Sequence, residues 1–258
     1  MSRVTVVTGG MGGLGEAICI KMADMGYFVA TTFSPNNNKV KNWLGTMKKK
    51  TGYSFKAFPC DVTDFDSAKN CISVISKEMG PVDVLVNNAG ITKDSTFKKM
   101  EKINWDLVIS TNLNSVYNMT KPVCDGMVDR KWGRIINISS AHGLTASPYK
   151  SAYIAAKHGV IGLTKTTALE TAEENITANA ICPGYVLTPL VEAQIPDTMR
   201  KYDMSREEVI KKVMLERQPS RQFASVEQLG STCVFFCSDA ADQITGTTLS
   251  VDGGWTAL

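Results

Sequence analysis

Tyr153 and Lys157 stand four residues apart, and the apolar run Arg134-Ile-Ile-Asn-Ile138 before them ends in Ser139 and Ser140. A phenol loses its proton near pH ~10, but an ammonium four residues on shares its helical face and favours the phenolate. Tyr153 is therefore expected to exchange protons near neutrality. Ser140 follows a run of the kind that is covered on both faces of a sheet, so its hydroxyl should emerge at a strand's carboxyl end, where open α/β sheets place ligands. The three side chains would converge on one carbonyl oxygen. Tyr117 and Lys121 repeat the spacing, but no strand ending in serine precedes them, and that pair reads as structural.

Positioning these groups takes a sheet. Val4–Thr8 reads as its first buried strand, and Thr8-Gly-Gly-Met-Gly-Gly-Leu-Gly15 turns it into a helix that begins near Glu16 and closes at Gly26. The glycines permit a tight turn and close backbone approach, and the helix N-terminus aims unpaired N–H groups at a pyrophosphate. This is the pattern of a dinucleotide loop. Phe28–Phe33 reads as the second strand. An acid at its end would hold an adenine ribose and repel a 2'-phosphate. Ser34-Pro-Asn-Asn-Asn-Lys39 stands there instead, and two readings stay open, an ordinary polar loop or a phosphate site.

After a helix through Trp43, residues 55–58 read as the third strand, with Asp61 and Val62 beside the adenine. Residues 82–86 are the fourth, followed by Asn87-Asn-Ala-Gly90, and Asn112 lies on the next helix. Then come the strand ending at Ser140, residues 178–182 leading into Pro183-Gly-Tyr-Val-Leu-Thr-Pro189, and Thr248–Val251 before Asp252-Gly-Gly-Trp255. This alternation gives an α/β fold: one Rossmann-type, doubly wound parallel sheet with helices on both faces, residues 1–258 forming a single domain. Residues 187–223 depart from the alternation. Ser205 with Glu208 makes a capping box there, and Pro219 follows the helix it starts. The segment is expected to be a helical lid over a small substrate, with a decorative surface helix as the alternative.

Composition excludes several classes. The 258 residues, 43% of them hydrophobic, suffice for one large α/β core. A formal charge of +3, spread along the chain, argues for no nucleic-acid partner. The seven cysteines show no Cys-x-x-Cys spacing; they read as reduced core thiols, and no metal site is expected. No apolar run approaches the ~20 residues of a membrane span, and the first apolar run is too short for a signal peptide. A soluble cytoplasmic protein is expected.

Thr8-Gly9 with Gly13 and Gly15, then Asn87-Asn-Ala-Gly90, then Asn112, Ser140, Tyr153 and Lys157 together resemble the short-chain dehydrogenase/reductase family, over nearly the whole chain. The resemblance implies an oxidoreductase that moves hydride directly between a nicotinamide and a substrate carbon. Tyr153 would be the general acid/base and Ser140 would orient the carbonyl. Lys157 would lower the tyrosine pKa and hold the nicotinamide ribose, and Asn112 would support a proton-relay water. Cofactor contacts are implied at Thr8, Gly9, Gly13, Leu14, Gly15, Phe33, Lys39, Asp61, Val62, Asn88, Ala89, Gly90, Tyr153, Lys157, Pro183, Gly184, Val186 and Thr188. The missing acid after the second strand leaves NADP(H) open, with Lys39 as its contact. The lean is to NAD(H), because 3-hydroxybutyrate dehydrogenases that lack the acid are similar to NAD enzymes.

Within the family, the first half resembles acetoacetyl-CoA reductases, through Gly9-Gly-Met-Gly-Gly, Pro35-Asn, Trp43-Leu and Ile91-Thr-Lys-Asp94. The second half resembles bacterial (R)-3-hydroxybutyrate dehydrogenases, through Ser140-Ala-His-Gly143, Lys150-Ser-Ala-Tyr153, Leu187-Thr-Pro-Leu-Val191 and Gln194-Ile195. The second half supplies most of the pocket. It implies 3-hydroxybutyrate and acetoacetate as substrates, the carboxylate held by His142, Lys150 and Gln194, with Ser140, Tyr153 and Trp255 lining the site. Thr92 stands where a glutamine is usual and Tyr185 where a tryptophan is, both departures toward the reductase pattern. The CoA thioester is the alternative substrate, and a cofactor sensor without turnover is the alternative class. A homotetramer is also implied, with interfaces at residues 247–258 and on the helices after Asn112 and Tyr153.

Overall fold

Short runs of apolar and β-branched residues, bounded by polar or glycine turns, become the strands. In chain order they are β1 (Val4–Thr8), β2 (Phe28–Phe33), β3 (Lys56–Pro59), β4 (Val82–Asn87), β5 (Gly133–Ile138), β6 (Ile176–Pro183) and β7 (Thr248–Val251). The computed structural model describes residues 2–257. Its strands form one sheet in the order β3-β2-β1-β4-β5-β6-β7, every neighbouring pair parallel. β1, β5 and β6 are buried along their whole length, as strands covered on both faces must be.

The helices are α1 (Gly13–Asp24), α2 (Val40–Thr51), α3 (Phe65–Met79), α4 (Lys102–Ile109), α5 (Ser115–Arg130), α6 (Ser151–Glu170), α7 (Pro189–Tyr202), the short α8 (Arg206–Glu208) and α9 (Val226–Phe236). Successive strand residues point to opposite faces. Val7, Val86, Ile136 and Ile181 accordingly join Ile18, Met22, Leu229 and Phe236 of α1 and α9 in one core. Val6, Leu85, Ile135 and Ala178 join Ile72, Ile75, Met119 and Met127 of α3 and α5 in the other. The chain runs outward from β1 to β3 and then returns to β4 on the far side of β1. The connections after β1 and β4 therefore part in opposite directions and leave a crevice at their carboxyl ends.

Departures from expectation lie mainly at element ends. β3 begins one residue later, at Lys56, and β6 extends to Ile176 and Pro183 because its pairing with β5 starts at Gly133–Ile176. α1 begins at Gly13. Asn112 sits not in a regular helix but in a π turn, Ser110–Asn114, joining α4 to α5.

Segment 187–223 holds two helical pieces where one was expected. Thr188 caps α7 by accepting from the Val191 N–H at 3.3 Å, Pro189 starts it, and Pro196 lies inside it. α8 has the expected Ser205/Glu208 capping box and runs on through a π stretch, Val209–Met214. Both ends of the segment are tied together: Val186 bridges Ala224, the Leu187 N–H donates to the Ala224 carbonyl at 3.0 Å, and the Ala224 N–H donates to the Tyr185 carbonyl at 2.9 Å.

All seven cysteines are free thiols, six buried and Cys124 half-buried. No helix among the described residues is long and apolar enough to cross a membrane. Leu258, at the end of the expected C-terminal interface, lies outside the described residues.

Candidate active site

The turn from β1 into α1 is shaped by backbone. Gly9 adopts φ +64°, a left-handed conformation that glycine takes without steric cost. Gly15 has no room for a side chain: a Cβ there would stand 2.5 Å from the Gly9 carbonyl oxygen and 2.8 Å from Asn88 Nδ2. Gly12 precedes α1 and provides no side-chain cap. The first N–H groups of the helix are thus left for an anion, which the helix dipole also favours.

Thr8 and Asn88 brace this loop from beneath. Thr8 Oγ1 accepts from the N–H groups of Asn88 and Ala89, both at 2.9 Å, and Asn88 Nδ2 donates to the Thr8 and Gly9 carbonyls at 2.9 and 3.3 Å. Thr8 is buried, and what the structure gives it is this bracing, not a surface for a cofactor. Gly9, Gly13, Leu14, Gly15, Asn88, Ala89, Gly90 and Thr188 line a cleft of about 570 Å³ together with Thr111 and Pro189. Uncapped N–H groups at the start of α1, beside this cleft, fit a dinucleotide's pyrophosphate.

The remaining expected cofactor residues lie at strand ends outside the cleft lining. Phe33 is half-buried and Lys39 exposed. Asp61 Oδ1 accepts from the Thr63 N–H and hydroxyl at 3.0 and 2.7 Å, and the Val62 carbonyl accepts from Asn118 Nδ2 at 3.0 Å. Pro183, Gly184 and Val186 follow β6, with the Gly184 N–H donating to the Val251 carbonyl at 3.1 Å.

Ser140 leaves the end of β5, and Tyr153 and Lys157 occupy the first two turns of α6. Lys157 is 4% exposed; its Nζ donates to the Ile138 carbonyl at 2.7 Å and lies 5.6 Å from the centre of the Tyr153 ring. Burial pushes the lysine pKa down to about 8. The phenol of Tyr153 moves opposite to expectation. Burial raises its pKa, the nearby Ser140 hydroxyl draws it part of the way back, and the Asp94 carboxylate raises it further. Lys157 does not bring the phenol toward neutrality here because its ammonium is committed to a backbone carbonyl while desolvation of the phenolate dominates. Tyr153 is thereby protonated and able to donate.

Asn112 is 1% exposed. Its Nδ2 donates to the Ile91 and Val108 carbonyls at 2.8 and 2.9 Å, and its Oδ1 accepts from the Ile91 N–H at 3.0 Å. Both amide protons are in use, so the side chain fixes the chain beside Gly90 and offers no donor to a relay water. π turns recur at functional sites, and this one sets that brace.

At the substrate end, His142 lies in the single turn Ala141–Gly143. Its ring meets Tyr153 and Trp255 edge-on, centroids 6.2 and 5.0 Å apart, and Trp255 stacks on Tyr185 at 5.7 Å. Burial, then the Lys150 and Arg217 cations, push the His142 pKa down to about 4, with Asp94 opposing. The imidazole is neutral at pH 7.

Lys150 is not a free cation. Its ammonium pairs with Asp94, which also accepts from the Thr92 hydroxyl. Two expected substrate holders therefore meet on an acid that the sequence showed only as the last letter of a motif. Gln194 is exposed on α7, and its side chain makes no hydrogen bond among the described residues.

Arg217 and Gln218 were not among the expected site residues, though Gln218-Pro-Ser220 also matches the 3-hydroxybutyrate dehydrogenase pattern. Arg217 Nη1 donates to the Ala146 carbonyl at 2.9 Å and to Ser147 Oγ at 3.0 Å, and buried Gln218 accepts from the Tyr185 N–H at 3.0 Å. Arg217 and Ser147 are 70 residues apart in sequence, so no local pattern announces the contact. The site can thus hold a carbonyl oxygen between Ser140 and Tyr153, pack a short chain on Trp255 and Tyr185, and meet a polar end at His142.

The profile of the short chain dehydrogenase family matches residues 3–198. The chain is 42% identical to a D-beta-hydroxybutyrate dehydrogenase of Rhizobium meliloti, over 100% of each. It is 40% identical to an acetoacetyl-CoA reductase of Cupriavidus necator, over 98% of this chain and 97% of that one. In three dimensions it is similar to the crystal structure of an actinorhodin polyketide ketoreductase with NADPH, with a TM-score of 0.90 at 30% identity, covering 100% of this chain and 98% of that one.

Proposed function

Because the chain belongs to the short-chain dehydrogenase family, whose members are oxidoreductases acting on CH–OH groups with nicotinamide cofactors, we propose that it interconverts (R)-3-hydroxybutyrate and acetoacetate. The free acid is supported by the charge at the far end of the site. Two cations, Lys150 and Arg217, and the neutral His142 face one acid, Asp94, leaving an excess of positive charge for a carboxylate. Tyr153 would give its phenolic proton to the carbonyl oxygen on reduction and recover it on oxidation, and Ser140 would orient that oxygen. A bound nicotinamide supplies or accepts the hydride. Lys157, anchored on the Ile138 carbonyl, would close the floor beneath the ribose. NAD(H) is the assigned form, since stretch 34–39 offers one exposed cation and no arginine to grip a 2'-phosphate. A tenfold preference for NADPH in kcat/KM would overturn that assignment.

A second reading, reduction of acetoacetyl-CoA, is favoured by the Asp94–Lys150 pair. An acid there partly neutralises Lys150 and repels a free carboxylate, whereas a thioester is uncharged at that point. The purified protein should oxidise (R)-3-hydroxybutyrate at millimolar concentration. Turnover of the thioester with none of free acetoacetate would sink the first reading. Turnover of neither, beside saturable cofactor binding, would make the protein a sensor. Membership of the family also supports a homotetramer with interfaces on the C-terminal segment and on α5 and α6, which expose Leu249, Tyr117 and Leu169; light scattering at the 28.1 kDa of one chain would exclude it.

A further inference from the structure

His142 has two ring nitrogens, and a neutral imidazole protonates only one of them. Which one it is decides whether the ring gives or takes a hydrogen bond at the nitrogen left for a ligand. Nε2 lies 2.9 Å from Ser147 Oγ. Nδ1 has no hydrogen-bond partner among the described residues. Ser147 Oγ in turn accepts from Arg217 Nη1 at 3.0 Å, and a guanidinium never accepts. With one lone pair held by Arg217, the hydroxyl proton of Ser147 has a single protein acceptor within reach, the Nε2 lone pair. The opposite tautomer would place two donors, Nη1–H and Nε2–H, on Ser147 and leave its own proton with no protein acceptor, only solvent.

We infer that Arg217 and Ser147 are positioning residues that lock His142 in the Nδ1–H tautomer, so that the ring presents a hydrogen-bond donor to an anionic or carbonyl oxygen of the substrate. Arg217 closes the 187–223 segment, and its second bond, to the Ala146 carbonyl at 2.9 Å, fixes that segment to the loop carrying Ser147. Seating the segment and setting the histidine proton are then one event. The role toward substrate rests on the proposed function; the tautomer itself does not.

The chain has two histidines, His142 and the exposed His158 on α6, which makes nitrogen NMR decisive. In protein labelled with ¹⁵N-histidine, with His158→Gln used for assignment, His142 should show a protonated Nδ1 and an unprotonated Nε2 at pH 7. Ser147→Ala should abolish that preference, and Arg217→Ala should weaken it while Arg217→Lys restores it. Kinetically, Ser147→Ala should raise KM for the four-carbon acid roughly three- to tenfold, the effect of one hydrogen bond, with kcat nearly unchanged. A protonated Nε2 in the parent protein, or an unaltered spectrum in a folded Ser147→Ala variant, would overturn the inference. Inactivity toward both four-carbon substrates, with the Nδ1–H signature intact, would remove the substrate reading and leave the tautomer assignment supported.

Discussion

The cleft after β1 and β4 is lined by five glycines, Gly9, Gly12, Gly13, Gly15 and Gly90, among small and apolar neighbours, with Thr188 and Pro189 at the rim. At the substrate end the chain presents side chains: Asp94, His142, Lys150, Tyr185, Arg217 and Trp255, brought from scattered parts of the sequence onto one another. A site made of main-chain N–H groups needs a turn of defined shape, and turn shape is set within about ten residues by where glycine stands. A site made of side chains depends on the whole topology, since only the fold decides which distant residues meet. The first kind should fail through geometry and the second through charge and proton placement.

The largest effect expected is at Tyr153, where Tyr153→Phe keeps the ring and removes the proton. Steady-state kcat should fall roughly 10²- to 10⁴-fold, while the dissociation constant for the cofactor stays within a factor of about two. Loss of cofactor binding instead would erase the distinction between the two regions.

Next is the acid limb of stability, which belongs to the substrate end. The pKa of His142 is about 4 in the native protein against an ordinary 6.5, so between those values the unfolded chain holds a proton that the native chain lacks. Stability must fall as pH drops through this window, by on the order of 3 kcal/mol at its foot. Urea unfolding at pH 4.5 and 7 should show a smaller difference in His142→Gln than in the parent. Equal differences would mean that the ring is not held neutral.

Charge placement can be tested with Lys150→Ala, Asp94→Asn and the double variant. Lys150→Ala should cost about 1.5 to 3 kcal/mol, roughly ten- to a hundredfold in kcat/KM for 3-hydroxybutyrate, mostly through KM. Part of that cost is the Asp94 charge left unpaired, so the double variant should recover some of the loss. If Asp94→Asn alone improves KM for the free acid, the acid is a brake on that substrate; if it worsens KM, Asp94 serves to aim Lys150.

The smallest effect pairs two glycines in helices. A Cβ at Gly45 of α2 meets nothing within 4 Å, so Gly45→Ala should stabilise by about 0.5–1 kcal/mol, raising Tm by a few degrees. Gly15→Ala, with the same helical gain on offer, should destabilise and weaken cofactor binding because of the Gly9 carbonyl. Equal signs at the two positions would refute the account of the glycine loop.

The same contrast explains what could be read from the sequence. Strand order, the glycine turn and the placing of Ser140, Tyr153 and Lys157 near one another follow from local runs and the rule of right-handed crossovers. The electrostatics of Tyr153 did not, because spacing along a helix says nothing of where an ammonium turns, and Lys157 turns to Ile138. Asp94 was visible only as part of a motif, since nothing local shows that Lys150 folds back onto it. α7 was hidden by its own prolines: Pro189 is welcome at a helix start, but Pro196 interrupts the pattern by which a helix is recognised.

Because residues 186 and 224 are bonded neighbours, everything between them is, in mechanical terms, a cassette clipped into a socket. The span across the socket is fixed by the isolated Val186–Ala224 bridge just beyond β6. Lengthening a flexible loop twofold adds only about 0.6 kcal/mol of closure entropy, so cassettes of different length and composition can be exchanged without moving the tyrosine, provided Thr188 and Pro189, which border the glycine turn, are kept. Transplanting 190–223 between relatives should therefore carry over contacts such as that of Arg217 with Ser147, with Ser140 and Tyr153 left in place.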